Sequence, residues 1–434
     1  GISVETLTPI RTQLDLLDRY WLHRVIRSDA QGDAREAILR SCCDVMIENR
    51  MLRAERLQLP NLAGSAALSD LLSTQVLTEW QPTPTTPPDR YMLAFSHHVL
   101  FDYAVSRLVL RTDPANLISR FTTEPDLLLV IRPSLLLHFR HLWAADRNQF
   151  WDLTSHFNQT EEIPNIGRLI GPTVAAESVS DIDSLGPLCT ALESGDESVR
   201  TTSERVLTHF IGALLVRASA GQSLVGAKAG PWSDFAERMT RSPRLSTVYA
   251  IGPLLSIICE KPDRLLATQR DAAGKAARRI LEFAWQQNNR DRGLIVRGIE
   301  YVCRTFESDL TSSSALLRKA IEAGHLTQYG FEELFWLAKE MKRLIPIAPA
   351  FIEEVFEAVF AHEEISDATT AMGSGRILSL TSNRRQDYHG GIYELAKIFP
   401  AYLAAHPKHA TKAIVQIMEC YIKRKHADAT NDED

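Results

Sequence analysis

The sequence predicts a mainly α-helical protein with one small β-hairpin near its N-terminus. From about residue 115 onward, apolar residues recur at helical spacing in successive blocks with no strand period between them. These blocks end at helix-breaking punctuation such as Glu124-Pro125, Gly186-Pro187, Lys261-Pro262, Ile345-Pro346 and His406-Pro407. Strand period occurs at Val76–Trp80 and again at Tyr91–Phe95, where Tyr91, Leu93 and Phe95 alternate with Met92 and Ala94.

The N-terminal elements follow in order. Leu14, Leu17, Trp21, Val25 and Ile26 mark one amphipathic helix, ending near Ser28–Gly32. A second runs from Ala34 to Arg50 with Ile38, Val45 and Met46 apolar, and a third from about Ser65 to Thr74. The hairpin loop Gln81–Asp89 carries Pro82, Pro84, Pro87 and Pro88, which cannot donate ladder hydrogen bonds and so end both strands. Ser96 is the expected N-cap of a helix carrying Leu100, Tyr103, Ala104, Arg107 and Leu108 on helical spacing. Three helices followed by a two-stranded wing are the plan of a winged-helix domain, assigned to residues 1–112.

Helices are then expected near 115–122, 125–144, 146–157, 166–177, 182–194, 198–219, 231–241, 244–260, 262–287, 291–307, 309–322, 327–341, 347–360, 388–405 and 407–425. Their pairing at intervals of roughly 35–50 residues predicts an α-solenoid of HEAT/armadillo-like helical hairpins over 113–425, although no repeat consensus is present. Gly221–Pro231 reads as a loop, and residues 426–434 as an acidic disordered tail.

Composition narrows the function classes. The 434 residues carry a net charge of −6, so no global basic field is available for nucleic acid or an anionic membrane. No window reaches the roughly 18 consecutive apolar residues of a membrane span, so no membrane partner is expected. The six cysteines form no CxxC pair, which argues against a metal or disulfide framework and for reduced thiols in the cytoplasm. No signal peptide is visible, and the opening Gly1-Ile2-Ser3 reads as the start of an excised piece.

The chemistry-bearing candidates are few. His97-His98 lies where the strand runs into a helix, a position from which an imidazole can meet an anion. As a metal pair it is poor, because adjacent residues diverge and no third ligand has the required spacing. Arg376, Arg384, Arg385, Asp387 and Tyr388, with His389, lie in the long Glu363–Gly391 loop and are the candidate contacts for a protein partner. The basic stretches Lys275–Arg279 and Lys423–His426 are flanked by acids and read as solvated faces. GxSxG, HExxH and SxxK are absent, and the pairs Glu161-Glu162 and Glu363-Glu364 face apart on a helix, so no catalytic residue is assigned. Trp143, Phe150, Trp151, Phe283, Trp285, Phe335 and Trp336 read as core.

Phe95-Ser96-His97, followed by Phe101-Asp102-Tyr103-Ala104, resembles the Phe-x-His and aromatic-acid-aromatic-Ala stretch in the winged-helix domain of STAND NTPases. These signal-transducing NTPases include the NACHT proteins and bacterial antiviral sensors. Leu16–Trp21 and Arg35–Leu39 resemble helices of large bacterial members, and Ile377–Asn383 with Gln386-Asp387-Tyr388 resembles their long C-terminal regions. The resemblance implies that His97 contacts the β-phosphate of bound ADP and holds a closed state. It implies a helical sensor arm that recognises a protein ligand in an antiviral setting. This chain has no GxxxxGK[ST], so ADP or ATP would be held by an upstream domain and no cofactor is expected within these residues. Two alternatives stand beside this reading: a winged-helix DNA-binding regulator, and an enzyme with a site in the 363–391 loop.

Overall fold

The computed structural model describes residues 10, 12–59, 65–287, 291–327, 333–361 and 383–431, with the backbone path alone for 383–387 and 425–431. It is mainly helical, with one three-stranded antiparallel sheet, and it separates into two compact units, Gly1–Val216 and Arg217–Asp434. The junction expected at 112/113 lies inside the first unit. No helix among the described residues is long and apolar enough to cross a membrane.

In the first unit, α1 (Gln13–Trp21) begins with a reciprocal cap between Thr12 and Asp15. It runs on into a π-helical turn, Leu22–Ile26, closed by Arg27 N donating to Leu22 O at 2.8 Å. α2 (Gly32–Glu48) starts against that turn. A Cβ at Gly32 would lie 2.9 Å from Ile26 O, so only glycine allows the approach. Strand β1 (Ala54–Glu55) and helix α3 (Ala66–Ser73) follow. β2 (Leu77–Trp80) and β3 (Met92–Phe95) then form the expected hairpin. The sheet order is β1-β3-β2, with Leu77 opposite Phe95 and Ala54 opposite Leu93. Leu77, Leu93 and Phe95 are buried on the face that meets the helices.

α4 (His98–Ala104) ends in a second π-helical turn, Val105–Val109, where Leu110 N donates to Val105 O at 3.0 Å. α5 (Pro114–Thr123), α6 (Leu127–Ala145), α7 (Arg147–Gln159), α8 (Asn165–Arg168), α9 (Ile170–Ser178), α10 (Gly186–Leu192) and α11 (Glu197–Ser219) follow. α6 is bent at Ile131, two residues before Pro133, whose ring and missing N–H break the helical ladder there. It packs against α1, α2, α4, α7 and α9, which ties the N-terminal elements to the helices after residue 113. Phe139, Trp143, Phe150, Trp151 and Phe157 form a buried edge-to-face cluster between α6 and α7, with Trp143 and Phe150 centroids 4.8 Å apart.

The second unit holds α12 (Trp232–Met239), α13 (Leu245–Glu260), α14 (Ala267–Gln286), α15 (Arg292–Arg304), α16 (Leu310–Glu322), α17 (Glu333–Leu344), α18 (Pro349–Phe360), α19 (Asn383–Ala405) and α20 (Pro407–Asn431). Helices next but one in sequence pack together throughout: α12 with α14, α13 with α15, α15 with α17, α16 with α18, α17 with α19 and α18 with α20. Two rows of stacked helices result. At Gly298 a Cβ would lie 3.0 Å from Leu281 Cα, so α15 and α14 approach almost to backbone contact.

Four sequence expectations need correction. His97, not Ser96, caps α4. The sheet has a third strand, β1. The helix expected at 388–405 begins five residues earlier, at Asn383, so residues 383–391 belong to a helix. The backbone of α20 stays helical through Asn431, inside the stretch expected as a disordered tail. Cys42, Cys43, Cys189, Cys259 and Cys303 are buried thiols; burial pushes Cys42 and Cys259 each up to about 12, which leaves them inert.

Candidate functional site

β3 delivers His97 to the surface. Ser96 N makes the last ladder bond, to Val76 O at 3.0 Å, and the chain then turns into α4. His97 is extended (φ −144°, ψ 137°), and its Nδ1 accepts from Val99 N at 3.5 Å, a long and weak cap. Phe95 and Phe101, 5.8 Å apart edge to face, anchor the junction from below. The His97 and His98 rings lie 4.7 Å apart, and both are exposed.

His97 borders an open groove of about 700 Å³. α1 and its π-helical turn contribute Tyr20 and Arg24, the end of α3 contributes Thr74 and Gln75, and β2 contributes Thr78. Gln75 sits at φ 58°, in the left-handed region where a helix commonly ends. Burial pushes the Tyr20 phenol up, and the Arg24 charge opposes that rise only in part. A guanidinium, an imidazole, hydroxyls and an amide thus face one groove, a donor set suited to an anionic group. Arg24, Thr74, Gln75 and Thr78 carried no motif in the sequence, and Tyr20 entered only as part of the Leu16–Trp21 stretch. The nearest signal was Tyr20 and Arg24 at i, i+4 on one helix.

Beneath the groove, residues that carried the resemblance are joined to one another. Tyr103 donates its hydroxyl to Asp18. Trp21 Nε1 donates to Glu36 Oε1 at 2.8 Å, Arg107 Nε donates to the same oxygen at 3.1 Å, and the Trp21 and Tyr103 rings are 5.3 Å apart. Arg35, with no exposed surface, donates to Val25 O at 2.5 Å, Ile26 O at 3.0 Å, Asp29 Oδ1 at 2.5 Å and Asp70 Oδ2 at 3.0 Å. Asp102 accepts from Ser134 Oγ at 2.9 Å; burial raises its pKa, while that hydrogen bond and the His98 charge pull it down. These polar residues therefore hold α1, α2, α3, α4 and α6 together and set the platform on which His97 stands.

The second candidate set fares differently. Arg376 lies outside the described residues, and Arg384, Arg385 and Asp387 fall on the first turns of α19, where only the backbone is described. Tyr388 is buried, which leaves its ring no free face for a partner, whereas His389 is exposed. All of them fall in the second unit, whereas His97 belongs to the first.

The basic stretch Lys275–Arg279 is consumed internally: Lys275 pairs with Asp271 at 2.7 Å, Arg279 with Glu237 at 2.8 Å, and Arg278 donates to Ser308 Oγ at 3.0 Å. Trp143, Phe150 and Trp151 are core as expected, but Phe283, Trp285, Phe335 and Trp336 are only half-buried. Lys339 Nζ stands 4.1 Å and 4.2 Å from the Phe335 and Trp336 ring centroids. Among the described residues, no group of three or more His, Cys, Asp and Glu side chains is arranged to hold a metal ion. Compared with protein-family models and with curated protein sequences, the chain matches none.

Proposed function

We propose that this chain is the regulatory region of a STAND-type NTPase. In this reading residues 1–112 are a winged-helix module that presents His97 to a nucleotide held by an upstream domain, and the later helices form a solenoid arm that binds a protein ligand. The observation that carries it is the exposure of His97 beside Arg24 on one open groove, with a hydrogen-bonded network in the same unit in which buried Trp21, Arg35 and Tyr103 join half-buried Asp18 and Glu36. Two exposed cationic or donor side chains on a rigid platform fit a phosphate contact. Gaining or losing that contact biases an equilibrium between closed and open states, and a ligand on the arm shifts it by its differential affinity for the two.

Two further features support the architecture. The element order α2, β1, α3, β2, β3 with sheet order β1-β3-β2 supports a winged-helix reading, with residues 81–91 as the wing. The two rows of helices in the second unit match stacked helical hairpins, whose many small contacts suit protein recognition.

The DNA-binding alternative is disfavoured by α3, which occupies the recognition-helix position yet reads Ala-Ala-Leu-Ser-Asp-Leu-Leu-Ser without a basic residue. Arg56 and Arg90, the basic residues flanking the wing, lie 3.2 Å from Glu79 and 3.8 Å from Glu55. The first test is the coding sequence upstream of this chain: a P-loop followed by a strand carrying a Walker B acid is expected, and their absence overturns the proposal. The second is retention of ADP by the full-length protein carrying His97→Ala.

A further inference from the structure

Among the described residues α20 is the last helix of its row, and it packs against α18 and α19. Ala410 and Ala413 are fully buried on that side, with Gln416, Ile417 and Cys420 half-buried around them. The side turned away carries Ile414, Val415, Met418, Tyr421 and Ile422, which stay 37–57% exposed. Lys408, Lys412, Glu419 and Lys423 occupy the flank between the two sides. A helix that is apolar on two opposed sides and polar between them suits a place where both sides are covered. α14, α16 and α18 each pack against the preceding and the following helix of the row, whereas the outer side of α20 is left to solvent. The end repeats of helical stacks ordinarily present a polar outer face, and a contiguous exposed apolar patch marks a contact surface.

The outer side has the spacing of a helix–helix seam. Thr411, Ile414, Met418 and Tyr421 succeed one another by three, four and three residues, as in a coiled coil, and Val415 and Ile422 widen the seam on one flank. Its charges suit a copy of itself. Lys412 and Glu419 lie seven residues apart on the flank beside Val415 and Ile422. Antiparallel pairing about the middle of the seam brings Lys412 of each copy to within about one residue of level with Glu419 of the other. Lys412 also meets Glu353 within its own chain, yet its side chain is still 64% exposed. The extent fits as well. Five large side chains, each about half uncovered, present roughly 500 Å² per copy, or about 1,000 Å² from two copies. Specific interfaces of about 1,600 Å² are about 60% apolar, so two such faces supply the apolar part of one stable dimer.

We infer that the outer side of α20 pairs with the same surface of a second copy of this chain, the two helices antiparallel about a two-fold axis between Ile414 and Met418. The contact is isologous, so each copy offers the same residues to the other. It uses the second unit alone and needs neither His97, a nucleotide nor an upstream domain.

The test is sedimentation equilibrium of the 434-residue chain between about 1 and 100 µM, a range that brackets moderate affinities. A monomer–dimer equilibrium is expected. Met418→Glu puts an unpaired charge at the centre of the seam and is expected to raise the dimer dissociation constant about thirtyfold or more, the scale of a central interface residue. Ile422→Glu is a second variant with the same expected direction. Both positions are exposed within a single chain, so thermal denaturation should show each variant folded. Glu419→Lys sets like charges opposite Lys412 of the other copy and is expected to weaken the dimer several-fold at low salt, the difference shrinking as salt rises. A chain that stays monomeric at about 100 µM overturns the inference and leaves this face to a different protein. A dimer that Met418→Glu and Ile422→Glu leave intact pairs through another surface, and one indifferent to Glu419→Lys is not antiparallel about this axis. Either result overturns the inference, as does assembly beyond two copies. None of these outcomes bears on ADP retention, so this inference and the proposed function fail separately.

Discussion

Arg35 on α2 reaches across to α3 and donates to Asp70 Oδ2 at 3.0 Å, while the same guanidinium closes the end of the π-helical turn through Val25 O and Ile26 O. One buried cation thus ties α2 to the π-helical turn and to α3, whose ends line the His97 groove. A guanidinium suits this place because its planar fork reaches carbonyls and carboxylates on different elements at once, which an ammonium cannot do.

Arg35→Met is expected to destabilise the first unit by about 3–5 kcal/mol, because it leaves Asp29, Asp70 and two carbonyls without their donor. Arg35→Lys recovers only part of this. Urea denaturation followed by far-UV circular dichroism measures both, and a loss below about 1 kcal/mol in Arg35→Met would contradict the assignment.

Tyr103→Phe removes a single hydroxyl that donates to Asp18 between α4 and α1. The expected loss is about 1.5–3 kcal/mol, the usual range for a hydrogen bond to a charged group. The ring remains in contact with Trp21, so the variant should unfold at lower urea with an unchanged m-value.

Acid sensitivity should reside partly in His138. Its folded pKa is about 4 against an ordinary 6.5, so the unfolded chain binds the proton first. This contribution to stability is therefore fully present above about pH 6.5 and is lost as the pH falls toward 4. It amounts to roughly 3 kcal/mol, and His138→Phe should flatten the stability profile between those two values. A profile that keeps its full slope in the variant assigns the acid sensitivity to other groups.

Glu353 secures α20 against α18. It is 6% exposed and accepts from Lys412 Nζ at 2.5 Å and His409 Nδ1 at 2.6 Å. Burial alone would raise its pKa, but the hydrogen bonds from Lys412 and His409 outweigh it and hold the pKa below the usual 4.5. Stability from this group is thus present above that value and lost below it. Glu353→Gln should increase amide exchange in residues 407–424, and unchanged exchange would show that packing alone holds the helix.

Much of this fold was legible in the sequence because its helices end at Pro, Gly or Asx signals. Thr12, Asp146, Asp291 and Asp309 all accept from backbone N–H groups in the first turn of a helix, as their residue types imply. β2 and β3 were legible from alternation and the proline-rich loop between them. β1 was not, because two residues carry no period and their pairing with β3 is a tertiary event. The early start of α19 was hidden because residues 383–387 are polar and read as the end of the long loop, although Gly390-Gly391 already lay in the expected helix. In the structure a Cβ at Gly391 would lie 2.7 Å from Leu334 Cγ, so the glycines serve close packing on α17.

Of the candidate site, His97 was legible as a junction residue, while Arg24, Thr74 and Thr78 join it only through folding. The pair His138 and His141 lies at i, i+3 on α6, which also carries Arg132, Ser134 and Arg140, so it does not stand out in the sequence. The burial of His138 depends on tertiary packing, which no local pattern reveals.

The most direct test of the proposed function is nucleotide retention in the full-length protein containing this chain. Purified wild-type and His97→Ala proteins are compared for ADP content after denaturation and for the rate at which bound nucleotide exchanges with a fluorescent ADP analogue. The account predicts stoichiometric ADP in the wild type and exchange faster by about tenfold in His97→Ala, the scale of one lost phosphate contact. Equal ADP content and equal exchange rates in the two proteins would contradict a nucleotide-contacting role for His97.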